Sequence, residues 1–149
     1  MTPGVFALDT SCMVAAACSW HERHDAVAAE IELRLGRGER LVIPAHAILE
    51  TYAVLTRLPA PHRLAPADAW ALVRANFVEQ GTLVTLPASA VTALVEALAG
   101  EGIGGGRTYD AVIGACAAHA KAHALLTLNR RHFEPPPRGV VIVDPAAAR

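Results

Sequence analysis

The 149-residue chain has one lysine, three scattered cysteines, few aromatic side chains and no surplus of either charge. Its formal net charge is −1. A protein that coats nucleic acid by electrostatics alone is basic, so any nucleic-acid contact here must be local or completed by a second subunit. Cys12, Cys18 and Cys116 are odd in number and form no CxxC pair, which argues for small buried hydrophobes in a reducing compartment. No apolar run reaches the roughly 18–20 residues of a membrane span. Met1 to Leu8 carries no Lys or Arg ahead of its apolar stretch, and Asp9 interrupts that stretch. A secretory signal looks different, so a cytoplasmic protein without a membrane partner is expected. Apolar residues make up 53% and charged residues 18%, enough for a sizeable core and too apolar for disorder. At this length one domain is expected over residues 1–145, with a frayed tail at 146–149.

Short apolar runs alternate with longer periodic ones. Val5–Leu8 reads as a buried strand ending at Asp9, after which Thr10 and Ser11 offer an N-cap for a helix to about Cys18. Asp25 can cap a second helix to about Leu35, stopped by Gly36 and Gly38. Leu41–Ile43 is a second strand, closed by Pro44, and Ala47 to about Leu58 is helical. Pro66 suits the first turn of a helix to about Glu79. Leu83–Leu86 is a third strand, and Ser89 caps a helix to Ala99. A glycine-rich loop, Gly100–Gly106, leads to a helix capped by Thr108 and running to about Lys121. Ala124–Thr127 and Val140–Val143 complete the strands. Wholly apolar strands alternating with helices imply a parallel sheet covered on both faces. The expected fold class is therefore α/β, a three-layer α/β/α sandwich with about five parallel strands.

Three acids stand in apolar surroundings. Asp9 follows four apolar residues at the carboxyl end of a strand, Glu50 is the sole acid of AILETYAVL, and Asp110 lies in the first turn of a nearly uncharged helix. A buried carboxylate is costly unless paired or bound to metal, and the only lysine, Lys121, is not local to any of them. Each has an ordinary explanation: Asp9 as a helix cap, Asp110 favouring its helix N-terminus through the macrodipole, Glu50 pairing with Arg57. Jointly these explanations weaken. Ligands of open α/β sheets bind outside the carboxyl ends of the strands, where Asp9 and the start of the Asp110 helix should meet. Three carboxylates converging there repel one another, and oxygen ligands without His or Cys suit Mg²⁺ or Mn²⁺.

Four strings, LDTS around Asp9, ILETYAVL around Glu50, TYDAVIGACA around Asp110 and LLTLNRRHF from Leu125 to Phe133, resemble PIN domains in order and spacing, over nearly the whole chain. Within that family the chain most resembles the VapC toxins of toxin–antitoxin pairs. The resemblance implies an endoribonuclease dependent on Mg²⁺ or Mn²⁺, with Asp9, Glu50 and Asp110 as metal-site acids, an antitoxin partner and a homodimer. It implies a site role for Thr127, which an ordinary strand residue would equally explain; capping equally explains Ser11. The sequence departs from the family at the fourth acid, because Asn129 and His132 stand where an acid is usual. Asn129 offers a carbonyl oxygen without charge, which bears on whether one metal or two is held. It also keeps open the alternative of a catalytically impaired PIN-fold module that binds RNA or protein.

A divalent ion activates water and stabilises charge on a phosphodiester. Arg107, Arg130 and Arg131 are the local groups for bidentate contact with RNA phosphates, although solvated loop charge is the simpler account of each. Tyr52 and Tyr109 are candidates for stacking on unpaired bases. Gly100-x-Gly102-x-x-Gly105 matches a dinucleotide fingerprint by letter, but it follows a helix and not a strand. His119 and His123 have zinc-compatible spacing without a third ligand. An aspartyl-phosphate phosphohydrolase built on Asp9 would need an acid where Ser11 stands.

Overall fold

The computed structural model describes residues 3–147, so the last two residues of the expected frayed tail lie outside it. Strands β1 (Val5–Leu8), β2 (Arg40–Pro44), β3 (Thr82–Val84), β4 (Ala124–Leu126) and β5 (Val141–Val143) form one sheet in the order β3-β2-β1-β4-β5. Every neighbouring pair is parallel. Helices α1 (Thr10–Ala17), α2 (His24–Gly36), α3 (Ala45–Arg57), α4 (Pro66–Val73), α5 (Ala88–Glu101) and α6 (Arg107–His119) connect and cover it. Phe6, Ala7 and Leu8 are consecutive and all 0% exposed. Successive strand residues point to opposite faces, so both faces of β1 are covered, as a sandwich requires. Leu125 and Leu126 on β4 are equally buried. Each such Leu or Phe contributes roughly 1.5–3 kcal/mol on burial.

The strand order reverses at β1, with β2 and β3 on one side and β4 and β5 on the other. A crevice therefore opens beyond the carboxyl ends of β1 and β4. Asp9 and Thr127 are the first residues past those two ends.

Element boundaries differ from expectation where partners decide them. β3 stops at Val84 because Val84 pairs with Pro44, the last residue of β2, leaving Thr85 and Leu86 no strand to join. The N-cap of α1 is Asp9, not Thr10 or Ser11; its carboxylate accepts from the Thr10 N–H. Asp25, Ser89 and Thr108 fall inside their helices, which begin at His24, after Pro87 and after Gly106 without side-chain caps. The helix expected to reach Glu79 widens over its last part, since α4 passes into a π-turn over Arg74–Val78 that buries Phe77. α6 ends at His119, and Lys121 (φ 57°) closes it in a left-handed conformation, with its N–H on Ala118 O and the Ala122 N–H on Ala117 O. His123 therefore leaves the helix that carries His119. Its Nδ1 accepts from the Val5 N–H at 3.0 Å and its Nε2 lies 3.1 Å from Glu39 Oε1, which removes the zinc reading. No helix among the described residues is long and apolar enough to cross a membrane.

Candidate functional site

The crevice is built from the end of β1. The Asp9 N–H still pairs with Leu126 O of β4 at 2.9 Å, and α1 starts immediately after it. Asp9 is 3% exposed, and three donors hold its carboxylate: the Thr10 N–H on Oδ1 at 2.7 Å, and on Oδ2 Thr127 Oγ1 at 2.7 Å and Ser11 Oγ at 3.0 Å. The same two hydroxyls accept in turn, Ser11 Oγ from the Leu128 N–H and Thr127 Oγ1 from the Asn129 N–H, each at 3.0 Å. Both hydroxyl protons go to Asp9, so the loop after β4 is stitched to the first turn of α1 through one carboxylate. Thr127 and Ser11 thus do more than fill a strand or cap a helix.

Glu50 projects from α3 with its side chain 36% exposed. Its Oε1 lies 2.9 Å from His46 Nε2, one helical turn back, and not beside Arg57. Both atoms are shielded from water and otherwise lack a hydrogen-bond partner, as does Thr10 Oγ1. Asp110 sits in the first turn of α6, with Oδ2 3.4 Å from His132 Nδ1. Burial pushes the Asp110 carboxyl above its ordinary range, and Asp9 and Glu50 add to the rise, while His132 and Arg107 oppose it. The acids therefore feel one another.

Asp9, Glu50 and Asp110 line one cleft of about 630 Å³, together with Arg107, Asn129 and His132. Among the described residues no three acid, His or Cys side chains are gathered tightly enough to cage a metal unaided. The acids share a cleft instead of a closed ligand set. Of the three arginines, Arg107 lines this cleft, its guanidinium donating to Glu134 O at 3.3 Å. Arg130 and Arg131 are exposed on the 3₁₀ turn Arg130–Phe133 and line an adjoining hollow of about 310 Å³ with Asn129 and Asp144. Tyr109 is 52% exposed and stacks on His46, ring centroids 5.0 Å apart; Tyr52 is 37% exposed.

Sequence reasoning passed over His46, His21 and Asp144. The i,i+4 spacing of His46 and Glu50 was visible in the sequence. His21, a further wall of the cleft, and Asp144, which faces the Asn129 loop from the end of β5, had no local signal.

The profile of the PIN domain matches residues 6–136. Ribonuclease VapC40 of Mycobacterium tuberculosis is 41% identical over 130 residues, covering 87% of this chain and 90% of that protein. Ribonuclease VapC27 of the same organism is 36% identical over 116 residues, covering 78% and 79% respectively. The solved structure of VapBC-1 from nontypeable Haemophilus influenzae superposes with a TM-score of 0.70 at 16% identity, over 96% of this chain and 99% of that one, and supports the fold alone. With three acids in one crevice at the switch point of such a sheet, and with these matches over most of its length, the chain belongs to the PIN-domain family.

Proposed function

We propose that the chain is a divalent-metal-dependent endoribonuclease, the toxin of a toxin–antitoxin pair. The observation that carries the reading is the one cleft that Asp9, Glu50 and Asp110 line, where burial raises the Asp110 carboxyl and Asp9 and Glu50 add to the rise. The similarity to ribonucleases VapC40 and VapC27 supports the same activity.

The donor set fits a hard cation. All three candidate ligands are carboxylates, and two shielded oxygens of the cleft are incompletely partnered: Thr10 Oγ1 has no hydrogen-bond partner and Glu50 Oε1 has only the His46 ring beside it, a condition that an ion or water would relieve. An open arrangement is what Mg²⁺ favours, since it keeps several waters and takes one or two carboxylates plus substrate phosphate. Asp9, Glu50 and Asp110 would hold Mg²⁺ or Mn²⁺. Such an ion, when bound, acidifies water and offsets charge on the phosphate. Thr127 and Ser11 fix the Asp9 carboxylate so that it need not reorganise. Arg107 meets a phosphate from the α6 side, and Arg130 and Arg131 from the loop after β4, where Asn129 offers its amide to water or ribose. A partner protein that inserts an arginine among the acids would block the cation by charge pairing, which is how an antitoxin would silence the site. A homodimer would place two such clefts in one particle.

The test is incubation of the purified protein with a mixed RNA pool, without divalent metal and with Mg²⁺ or Mn²⁺, followed by mapping of the cut ends. Asp9→Asn removes charge but little volume, and the Ser11 and Thr127 hydroxyls can rotate to accept from the new amide. Metal-dependent cleavage should fall at least about a hundredfold in a folded protein. Equal rates for variant and parent would assign the activity to another site. If neither protein cuts RNA with either metal, the interaction-module reading replaces this one.

A further inference from the structure

One aromatic cluster beside the cleft has no part in the chemistry above. Trp20, in the turn between α1 and α2, is 48% exposed, unusual for so large an apolar ring. One indole face is covered by the His62 imidazole, from the loop between α3 and α4, with ring centroids 3.9 Å apart and planes 18° apart. The His21 ring leans on the indole at 5.9 Å. His21 is also a wall of the cleft, and its Nδ1 accepts from the Arg23 N–H at 3.0 Å, which fixes the ring and leaves Nε2 as its donor when neutral.

The cluster continues the cleft. α1 and α3 both start at the carboxyl edge of the sheet and pack against each other. Ser11 and Val14 of α1 and Val54 of α3 line the cleft between the acids and the far ends of these helices. Trp20 and His62 meet just past those ends, beyond the roughly 12 Å that α1 spans from Asp9 at ~1.5 Å per residue. Exposed Arg23 and Arg63 stand on the same two turns, beside three rings that each carry a polar nitrogen.

We infer that the Trp20–His62 pair is a stacking platform for an unpaired nucleobase of the RNA, held outside the cleavage centre and reached through the groove that His21 closes. The inference rests on the ribonuclease reading and names the substrate class: single-stranded or looped RNA. A ring already stacked on its neighbour is held in place, so the half of it left exposed would meet a base with little loss of side-chain freedom, and stacking is sequence-tolerant because every base has a π-face. Cleavage specificity would then depend on strand accessibility more than on base identity at this position.

The chain has two tryptophans, so Trp70→Phe leaves Trp20 as the sole indole. This protein is titrated in EDTA with a short oligoadenylate and with an abasic strand of equal length and charge. The expected result is quenching of Trp20 by the oligoadenylate and little by the abasic strand. In the otherwise native protein, Trp20→Leu should bind oligoadenylate about tenfold more weakly and Trp20→Phe should retain part of the affinity. Equal quenching by both strands, or unchanged affinity of Trp20→Leu, overturns the platform. Emission that shifts with protein concentration before RNA is added, and then resists quenching, overturns it in favour of a second copy covering the face. A protein that cuts RNA without any Trp20 dependence loses the platform alone, whereas one that cuts no RNA with either metal loses the ribonuclease reading as well.

Discussion

At the scale of single residues, the site depends on how Asp9 is held. Thr127→Val keeps the volume of a wholly buried side chain but removes its proton from Asp9 Oδ2 and its oxygen from the Asn129 N–H. A hydrogen bond to a charged group is worth about 1.5–3 kcal/mol, so unfolding in urea should show a loss of about 2 kcal/mol. Groups that orient metal ligands typically matter about 10–100-fold in affinity or activity, so cleavage should fall within that range, with Thr127→Ser close to the parent. A valine variant as active as the parent would reduce Thr127 to strand packing. Asp110 behaves differently, because burial and its acidic neighbours raise its carboxyl above the ordinary 3.8. A raised acid favours the folded state while protonated, so its contribution is complete below the ordinary carboxylate value and is lost as pH climbs through the raised one. Without metal, Asp110→Asn should therefore be more stable than the parent at neutral pH, and the difference should close as pH falls below 3.8. Denaturation of both proteins in EDTA across that range checks the sign. A variant that is less stable at neutral pH would mean that His132 and Arg107 outweigh the repulsion.

At the scale of elements, α6 and the turn after β4 must approach closely to share the cleft. Gly114, buried on α6, permits it: a Cβ there would lie 2.9 Å from Pro137 Cγ and 3.6 Å from Phe133 Cδ1. Alanine is the better helix former by about 1 kcal/mol, but overpacking costs about 1–3 kcal/mol. The proline ring is a stiff neighbour, so the clash should win. Gly114→Ala should be destabilised by about 1 kcal/mol net, and RNA cleavage should drop because the 3₁₀ turn bearing Arg130, Arg131 and His132 shifts. Thermal unfolding together with cleavage rate decides. A stabilised, fully active variant would show that the loop yields freely.

At the scale of the whole molecule, the low net charge limits how RNA can be gripped. A chain at −1 has no general attraction for a polyanion, and Arg107, Arg130 and Arg131 are the proposed phosphate contacts near the acids. At roughly 0.7 per phosphate for single strands, log binding constant against log salt should have a slope of about −2. Filter binding in EDTA from low to moderate salt measures it. A slope steeper than about −4 would require further cationic contacts, from the partner half of a dimer or from the Arg23 and Arg63 turns.

The sequence by itself determined the strands, the parallel sheet, and the placement of one acid at a strand end and another in a helix's first turn. Those features are local: burial on both faces writes unbroken apolar runs such as VFAL and ALL, and an isolated acid in such a run stands out. Only the tertiary structure decided which side chains meet. Thr127 reaches Asp9 across 118 residues because β4 pairs beside β1 with Leu8 opposite Leu126. Trp20 lies on His62 because α1 and α3 run side by side to neighbouring turns. His132 faces Asp110 because Gly114 lets the loop close. The starts of α1 and α3 likewise follow directly on the ends of β1 and β2, with Asp9 itself capping α1, since the end of a strand fixes where the chain can turn. Periodicity is a property of the neighbouring residues, whereas a crevice is set by sheet order and register, which no short window of sequence contains.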